Sequence, residues 1–291
     1  MQDETPQTAR DVAGRLDLKR SGRGWRGNCP ACGYAGTFSV REGQGGRALY
    51  WCASCQDRDG LSRAIGGGAV ASMSPIDRVT AAEAKAQKRD RALALWNNAV
   101  PTEGTPAALY LANRRVAFLV GSRALRFSRM TSHPAGDRRT YPALIALVTD
   151  ATGTPTAVHR TYLDRDGQKA DCFPVKASVG PIWGGAIRLS PHDPDKPLII
   201  GEGVETAASA GVLFGWPAWS AVSCGNMGKG LVLPREVRRV CIAADPDESD
   251  RKAALDARFR WMAEGRDVTI ATPTGDSDFN DVLGWEVSHV G

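Results

Sequence analysis

Pro197-Leu198-Ile199-Ile200-Gly201-Glu202-Gly203 is a short continuous apolar run with an acid directly behind it, and it reads as a buried strand. A compact helix of small residues follows from Val204 to Phe214. Working outward, Pro217-Ala218-Trp219-Ser220-Ala221-Val222 and Arg239-Val240-Cys241-Ile242-Ala243-Ala244 read as the next strands. A helix then runs from a Ser249 N-cap to Gly265, and Asp267-Val268-Thr269-Ile270-Ala271 closes the series. Strands alternating with helices build a parallel sheet, and chemistry in such sheets collects beyond the carboxyl ends of the strands.

That rule gathers acids. Glu202 follows the first strand, Asp245 and Asp247 follow the strand ending at Ala244, and Asp278 and Asp281 lie past the last one. Carboxylates brought together without matching Lys or Arg repel one another, and divalent cations relieve the repulsion. Hard oxygen ligands with open positions suit Mg²⁺ or Mn²⁺ and leave room for substrate phosphates. A lone Asp-x-Asp is often just a helix cap. Three acidic motifs at successive strand ends point instead to a metal site.

The cysteines carry a second centre. Cys29-Pro-Ala-Cys32 and Cys52-Ala-Ser-Cys55, with nineteen residues between the pairs, let four thiolates grip one Zn²⁺ from two tight knuckles on a small antiparallel ribbon. A redox pair is the weaker alternative for two such motifs together. Cys172, Cys224 and Cys241 are scattered through strand-like segments as small apolar residues, a usage that fits a reducing compartment. Around the ribbon, Trp25 and Tyr34 are expected to be exposed, whereas Phe38, Tyr50 and Trp51 are expected to fill its core. Exposed rings with Arg23, Arg26, Arg41 and Arg47 between them suit an unpaired nucleic-acid strand.

With 291 residues and 42% hydrophobic content, the chain has room for about two domains and a small module. The N-terminus is acidic and polar, and no eighteen-residue apolar run occurs, so a cytoplasmic protein without a membrane span is expected. The net charge of +5 is unevenly spread: residues 112–190 hold twelve basic against five acidic residues, and 196–291 hold ten against fourteen. A basic region beside an acidic one suits a protein that holds a polyanion next to divalent metal. Composition divides the chain into a zinc-binding ribbon (1–66), a linker and helix (67–104), a basic subdomain (105–195) and the βα-alternating part (196–291). Gly66-Gly67-Gly68-Ala69 marks the linker, Thr80–Asn98 a helix, and Thr105-Pro106 the cap of another. Ala143–Val148 and Thr156–Arg160, joined through Asp150-Ala151-Thr152-Gly153, read as a hairpin, with a further turn at Asp166-Gly167. His133, His159, His192 and His289 lie too far apart for metal-ligand spacing, and Trp183-Gly184-Gly185 marks either a tight turn or a close backbone approach to a ligand.

Gly201-Glu202-Gly203, Asp245-Pro246-Asp247 and Ser277-Asp278-Phe279-Asn280-Asp281, each after a strand, resemble the successive motifs of a TOPRIM domain. A zinc ribbon ahead of such a core is similar to the bacterial, phage and plasmid DNA primases. The segments from His159 to Lys169 and from Lys176 to Gly185 resemble the basic subdomain of the mobile-element branch. The resemblance implies an α/β protein with an N-terminal zinc ribbon, a mixed α+β basic subdomain and a C-terminal TOPRIM domain with a parallel sheet. It implies a DNA primase that makes short RNA on a single-stranded DNA template from ribonucleoside triphosphates, with a separate replicative helicase as a candidate partner; no Gly-x-x-x-x-Gly-Lys-Ser/Thr loop occurs in the sequence. In that pattern Glu202 assists proton transfer or metal positioning, Asp245, Asp247 and Asp278 hold Mg²⁺, and Asp281 is a weaker candidate. Template and nucleotide contacts fall to Arg114, Arg160, Lys176 and Arg188, with Lys169, Arg115 and Arg126 behind them, and to Trp25 and Tyr34 of the ribbon. A metal-dependent nuclease and a non-catalytic single-stranded-DNA-binding accessory protein are the alternatives.

Overall fold

The computed structural model describes residues 8–33, 36–43, 48–52, 58–66, 75–134, 139–273, 275 and 277–289. The chain divides into two units, residues 1–78 with 133–139, and residues 79–132 with 140–291. The glycine-rich linker expected from Gly67 onward lies outside the described residues.

In the first unit, helix α1 (Ala9–Arg15) opens with a reciprocal cap in which Thr8 and Asp11 satisfy each other's backbone N–H groups. Strands β1 (Lys19–Ser21), β2 (Gly24–Gly27), β3 (Phe38–Glu42) and β4 (Ala48–Cys52) form an antiparallel sheet in chain order, followed by α2 (Arg58–Ala64). Its core is small: Val12, Leu18, Phe38, Val40, Leu61 and Ile65, together with Cys29 and Cys52. So small a core is marginal by itself, and a bound metal is the usual supplement.

The second unit contains helix α3 (Pro75–Asn98) from residue 79 onward, then α4 (Pro106–Asn113) and the antiparallel sheet β5 (Leu125–Ser132), β6 (Thr140–Thr149), β7 (Pro155–Tyr162) and β8 (Lys176–Val179). Thr105 caps α4 by accepting from Ala107 N–H at 3.2 Å. Strand β6 is buried on both faces. Ala143 and Ile145 pack with Ala92 and Trp96 of α3, while Leu144, Ala146 and Val148 face Tyr110, Leu111 and the β10–α5 core. At the Asp166-Gly167 turn, Gly167 has φ +71°, and a Cβ there would lie 2.5 Å from Leu109, so only glycine fits.

The second sheet has the order β13-β12-β10-β11-β9, with β9 (Ile187–Arg188), β10 (Leu198–Gly201), β11 (Ala218–Ser220), β12 (Arg239–Ala243) and β13 (Asp267–Ala271). Its helices are α5 (Val204–Phe214), α6 (Glu248–Ala263) and α7 (Phe279–His289). Strands β10 to β13 are mutually parallel as expected, and β9 adds an antiparallel edge. Gly201 pairs with both Ser220 and Ala243, and Ala243 with Ala271. The strand ends are therefore level, and the residues just past them meet. One core runs from α4 through β6 and β9 to α5, so the compositional boundary at 195/196 does not separate two cores. The helix expected to start from a Ser249 cap is instead capped by Asp247, whose Oδ1 accepts from Asp250 N–H at 2.9 Å.

Candidate metal centres

In the first unit, Cys29, Cys32 and Cys52 bring their sulfur atoms within 4.8 Å of one another, and Cys32 Sγ lies 3.8 Å from Cys52 Sγ. A disulfide needs about 2.05 Å, so this is no bridge. A tetrahedral Zn²⁺ with Zn–S of about 2.3 Å requires sulfurs about 3.8 Å apart. The three thiols fit that ion. Cys32 N–H donates to Cys29 Sγ at 3.4 Å, and Gly33 N–H closes the knuckle on Cys29 O at 2.8 Å with φ +74°. Thr37 Oγ1 lies 3.2 Å from Cys52 Sγ. The fourth expected ligand, Cys55, and the expected contact residue Tyr34 lie outside the described residues.

Two ring assignments are corrected. Trp25 is not a free stacking platform, because it packs against the ribbon core beneath Arg20, whose guanidinium carbon sits 4.4 Å from the ring. Trp51, expected in the core, is 43% exposed. Strand parity is the cause: Cys52 must turn inward, so Trp51 turns outward. Trp51 stands opposite Ser39, and Ser39 opposite Arg26. The outward face thus holds one ring and a cation in a single cross-strand row. Phe38 and Tyr50 pack inward as expected.

In the second unit, the turns after β10 and β12 bring Glu202 and Asp245 together. Glu202 Oε1 accepts from Cys224 N–H at 3.2 Å, and its carbonyl accepts from Ser220 Oγ at 2.7 Å and Val222 N–H at 2.9 Å. Asp245 Oδ2 accepts from Thr206 Oγ1 at 3.0 Å, while Asp245 Oδ1 is buried with no partner. Burial first, then the charges of Asp278, Glu202 and Asp247, push the Asp245 carboxyl up to about 6, against the downward pull of Thr206. Three of the expected acids therefore act on the fourth. A buried, orphaned carboxylate oxygen within an acid cluster is what a divalent cation would satisfy.

Two of those acids have second tasks. Asp247 uses Oδ1 to cap α6. Asp278 caps α7 by accepting from Asp281 N–H at 2.8 Å and faces Arg114 Nη2 at 3.9 Å, so the cluster is not free of basic neighbours. Asp281 is itself exposed. Sequence reasoning missed Asp250 and Glu205. Asp250 is fully buried, and burial, followed by Glu202, pushes its carboxyl up to about 7. Glu205, on the first turn of α5, accepts from Tyr110 Oη and lies 3.1 Å from Lys176 Nζ. Burial favours its neutral form, yet Lys176 and Tyr110 together hold the carboxyl below the usual range.

The basic candidates separate into two groups. Lys176, Lys169 and Arg114 border the acids: Lys169 feels the charges of Lys176, Glu205, Arg114 and Asp278. Arg160 and Arg188 do not fit nucleotide contact. Arg160 is buried in β7 and donates to Ser132 O at 2.9 Å. Arg188 donates to Asp150 O at 2.8 Å and Ala151 O at 3.0 Å and lies 4.4 Å over the Trp219 ring. Arg126 is likewise tied to Trp96, through its carbonyl at 2.9 Å and its ring. Guanidinium groups already donating to carbonyls hold the fold together. His159, half-buried and bonded to Ser178 Oγ at 2.9 Å, is tied into the sheet; loss of solvation first, then Lys176, push it down to about 3. Trp183 packs where a Cβ on Gly230 would stand 2.6 Å from its ring, and Gly184 of the same segment has φ +85°, as in a tight turn.

Residues 197–288 match the family model of the Toprim domain, and residues 86–189 match a domain of unknown function, DUF7146. The chain is thus an α/β protein in which a Toprim domain follows an N-terminal cysteine cluster. Among solved structures it is similar to the Escherichia coli primase catalytic core, with 14% identity and a TM-score of 0.43 over 62% of this chain and 69% of that one. It is also similar to the zinc-binding and RNA polymerase domains of Aquifex aeolicus primase, at 14% identity and a TM-score of 0.45 over 96% and 80%. The primase fragment of the bacteriophage T7 primase-helicase protein is a third likeness, at 12% identity and a TM-score of 0.37 over 90% and 97%. No curated protein matches the chain. Among the described residues no helix is long and apolar enough to cross a membrane.

Proposed function

Because residues 197–288 form a Toprim domain, we propose that the chain is a cytoplasmic DNA primase that joins ribonucleotides on a single-stranded DNA template. The observation that carries this reading is the buried, unpartnered Oδ1 of Asp245 among Glu202, Asp247 and Asp278. Those four side chains would hold Mg²⁺ or Mn²⁺, which when bound supplies positive charge beside phosphate oxygens. Lys176, Lys169 and Arg114 border the same acids and would draw a triphosphate toward them, Arg114 through bidentate pairing. Glu202, fixed at its carbonyl and at Oε1, is the candidate to orient the nucleotide hydroxyl or take its proton.

The ribbon would hold Zn²⁺ through Cys29, Cys32, Cys52 and Cys55 and contact the template through Trp51 and Arg26, with the ring stacking on a base and the guanidinium on the backbone. A separate replicative helicase is the expected partner.

The test is incorporation of labelled ribonucleotides with Mg²⁺ over mixed single-stranded templates. Template-dependent product that disappears in Asp245→Ala supports the proposal. Full activity in that variant refutes it. Shortening of labelled DNA without nucleotides would reassign the site to a nuclease, and tight DNA binding with no incorporation on any template would make the chain an accessory protein.

A further inference from the structure

Asp250 is fully buried on the first turn of α6, and among the described residues no Lys or Arg pairs with it. A carboxyl in that position usually serves the helix cap, returning a bond to the N–H of the cap residue three positions back. Asp250 does something else. Its Oδ2 accepts from the N–H of Asp245, two residues before the cap, at 2.6 Å. Its Oδ1 receives the Cys224 thiol at 3.4 Å. Cys224 N–H in turn donates to Glu202 Oε1 at 3.2 Å, and one donor atom from each of Glu202, Cys224 and Asp250 lies within 4.8 Å of the others.

Asp250 thereby joins the two strand-end turns from beneath. One arm fixes the backbone from which the Asp245 side chain departs. The other fixes the thiol of the residue whose amide holds Glu202. The turn leading to Cys224 is itself held under strain, since Val222, a β-branched residue, has φ +73°, a conformation that persists only where its surroundings enforce it. Val222 N–H donates to Glu202 O at 2.9 Å, so the strained residue and Cys224 clamp the same glutamate.

We infer that Asp250 is a positioning residue, which sets the spacing of Glu202 and Asp245 by bonding the Asp245 amide and the Cys224 thiol. The inference rests on reading those acids as a divalent-metal site. Supporting partners of this kind typically change metal affinity by about 10- to 100-fold when removed.

The experiment measures Mn²⁺ binding to the whole protein, without nucleotide or DNA, by the electron paramagnetic resonance signal of free Mn²⁺. Wild type, Asp245→Ala, Asp250→Ala, Asp250→Asn and Cys224→Ala are compared, with circular dichroism as the check on folding. Asp250→Ala should weaken binding by about tenfold or more. Asp250→Asn should recover most of it, because the amide oxygen still accepts from Asp245 N–H. A folded Asp250→Ala with wild-type affinity overturns the inference. So does an Asn variant as weak as Ala, which would make the charge, and not the bond, what matters. Should Asp250→Ala not fold, Cys224→Ala removes only the thiol link, and unchanged affinity there overturns the inference as well. Failure of the metal-site reading looks different: wild type then binds no Mn²⁺ or Asp245→Ala binds it equally, and the inference falls with it.

Discussion

Lys176 Nζ lies 3.1 Å from Glu205 Oε2, pairing a residue of the antiparallel sheet with one on the helix behind Glu202. Glu205 is buried, and Tyr110 Oη donates to its other oxygen. Removing the cation leaves a buried carboxylate with only neutral donors, Tyr110 Oη and a backbone N–H. Lys176→Met is therefore expected to cost about 2 kcal/mol. Urea unfolding of Lys176→Met, Glu205→Gln and the double variant checks this. The double variant should lose less than the two singles combined, by about 1 kcal/mol, and strict additivity would show that the two residues are not coupled.

If the cysteines of the ribbon hold Zn²⁺ as proposed, its small core depends on that ion. Chelation, or Cys52→Ser, should release one zinc per chain and unfold the first unit while the second stays folded. Zinc content and limited proteolysis report the two halves of this expectation. A ribbon that resists protease after complete metal loss would contradict it.

Trp51 and Phe38 sit on opposite faces of the ribbon sheet and should behave oppositely. Phe38 is fully buried, so Phe38→Ala should destabilise by about 3 kcal/mol or more. Trp51→Ala should change stability by no more than about 0.5 kcal/mol and weaken single-stranded DNA binding by about fivefold or more. Fluorescence anisotropy with a labelled oligonucleotide measures the second effect. Equal affinity in the two forms would remove Trp51 from the template surface.

The acids give the fold a pH signature. Asp245 and Asp250 are raised from 3.8 to about 6 and about 7, each by burial first. A carboxyl raised on folding adds stability that is complete below its unfolded value and is lost as pH climbs through the folded one. From about pH 4 to about pH 7 the metal-free protein therefore loses the contribution of these two groups. Added Mg²⁺ opposes the loss, so the gain in Tm with Mg²⁺ should be small near pH 5 and larger near pH 8. Thermal unfolding with and without Mg²⁺ tests this, and Asp245→Asn should flatten the difference.

What could be read from the chain follows from range. The runs ending at Gly201 and Ala244 are local signals, and so are the hairpin through Asp150 and the Thr105-Pro106 cap, whose determinants sit within a few residues of one another. Trp51 was also within reach, since placing Cys52 on the inner face fixes its neighbour's direction. Glu205 and Asp250 were not. Each reads as an ordinary acid on the first turn of a helix, and what distinguishes them is a partner from another element: Tyr110 across ninety-five residues and Cys224 across twenty-six. Arg160 and Arg188 misled for the converse reason. Charge is visible in sequence, whereas the carbonyl groups that occupy it, at Ser132 and Asp150, are assembled only on folding.

Strand β9 lies upstream of the Toprim match yet forms an edge of that sheet, pairing Ile187 with Ser220 and Arg188 with Trp219. A fragment beginning at residue 197 would keep every acid of the site but bare the backbone of β11, inviting aggregation along that flank. The two matched segments are therefore poor candidates for separate expression or for exchange with a relative. A viable splice in this region must carry residues 186–189 along with the Toprim half.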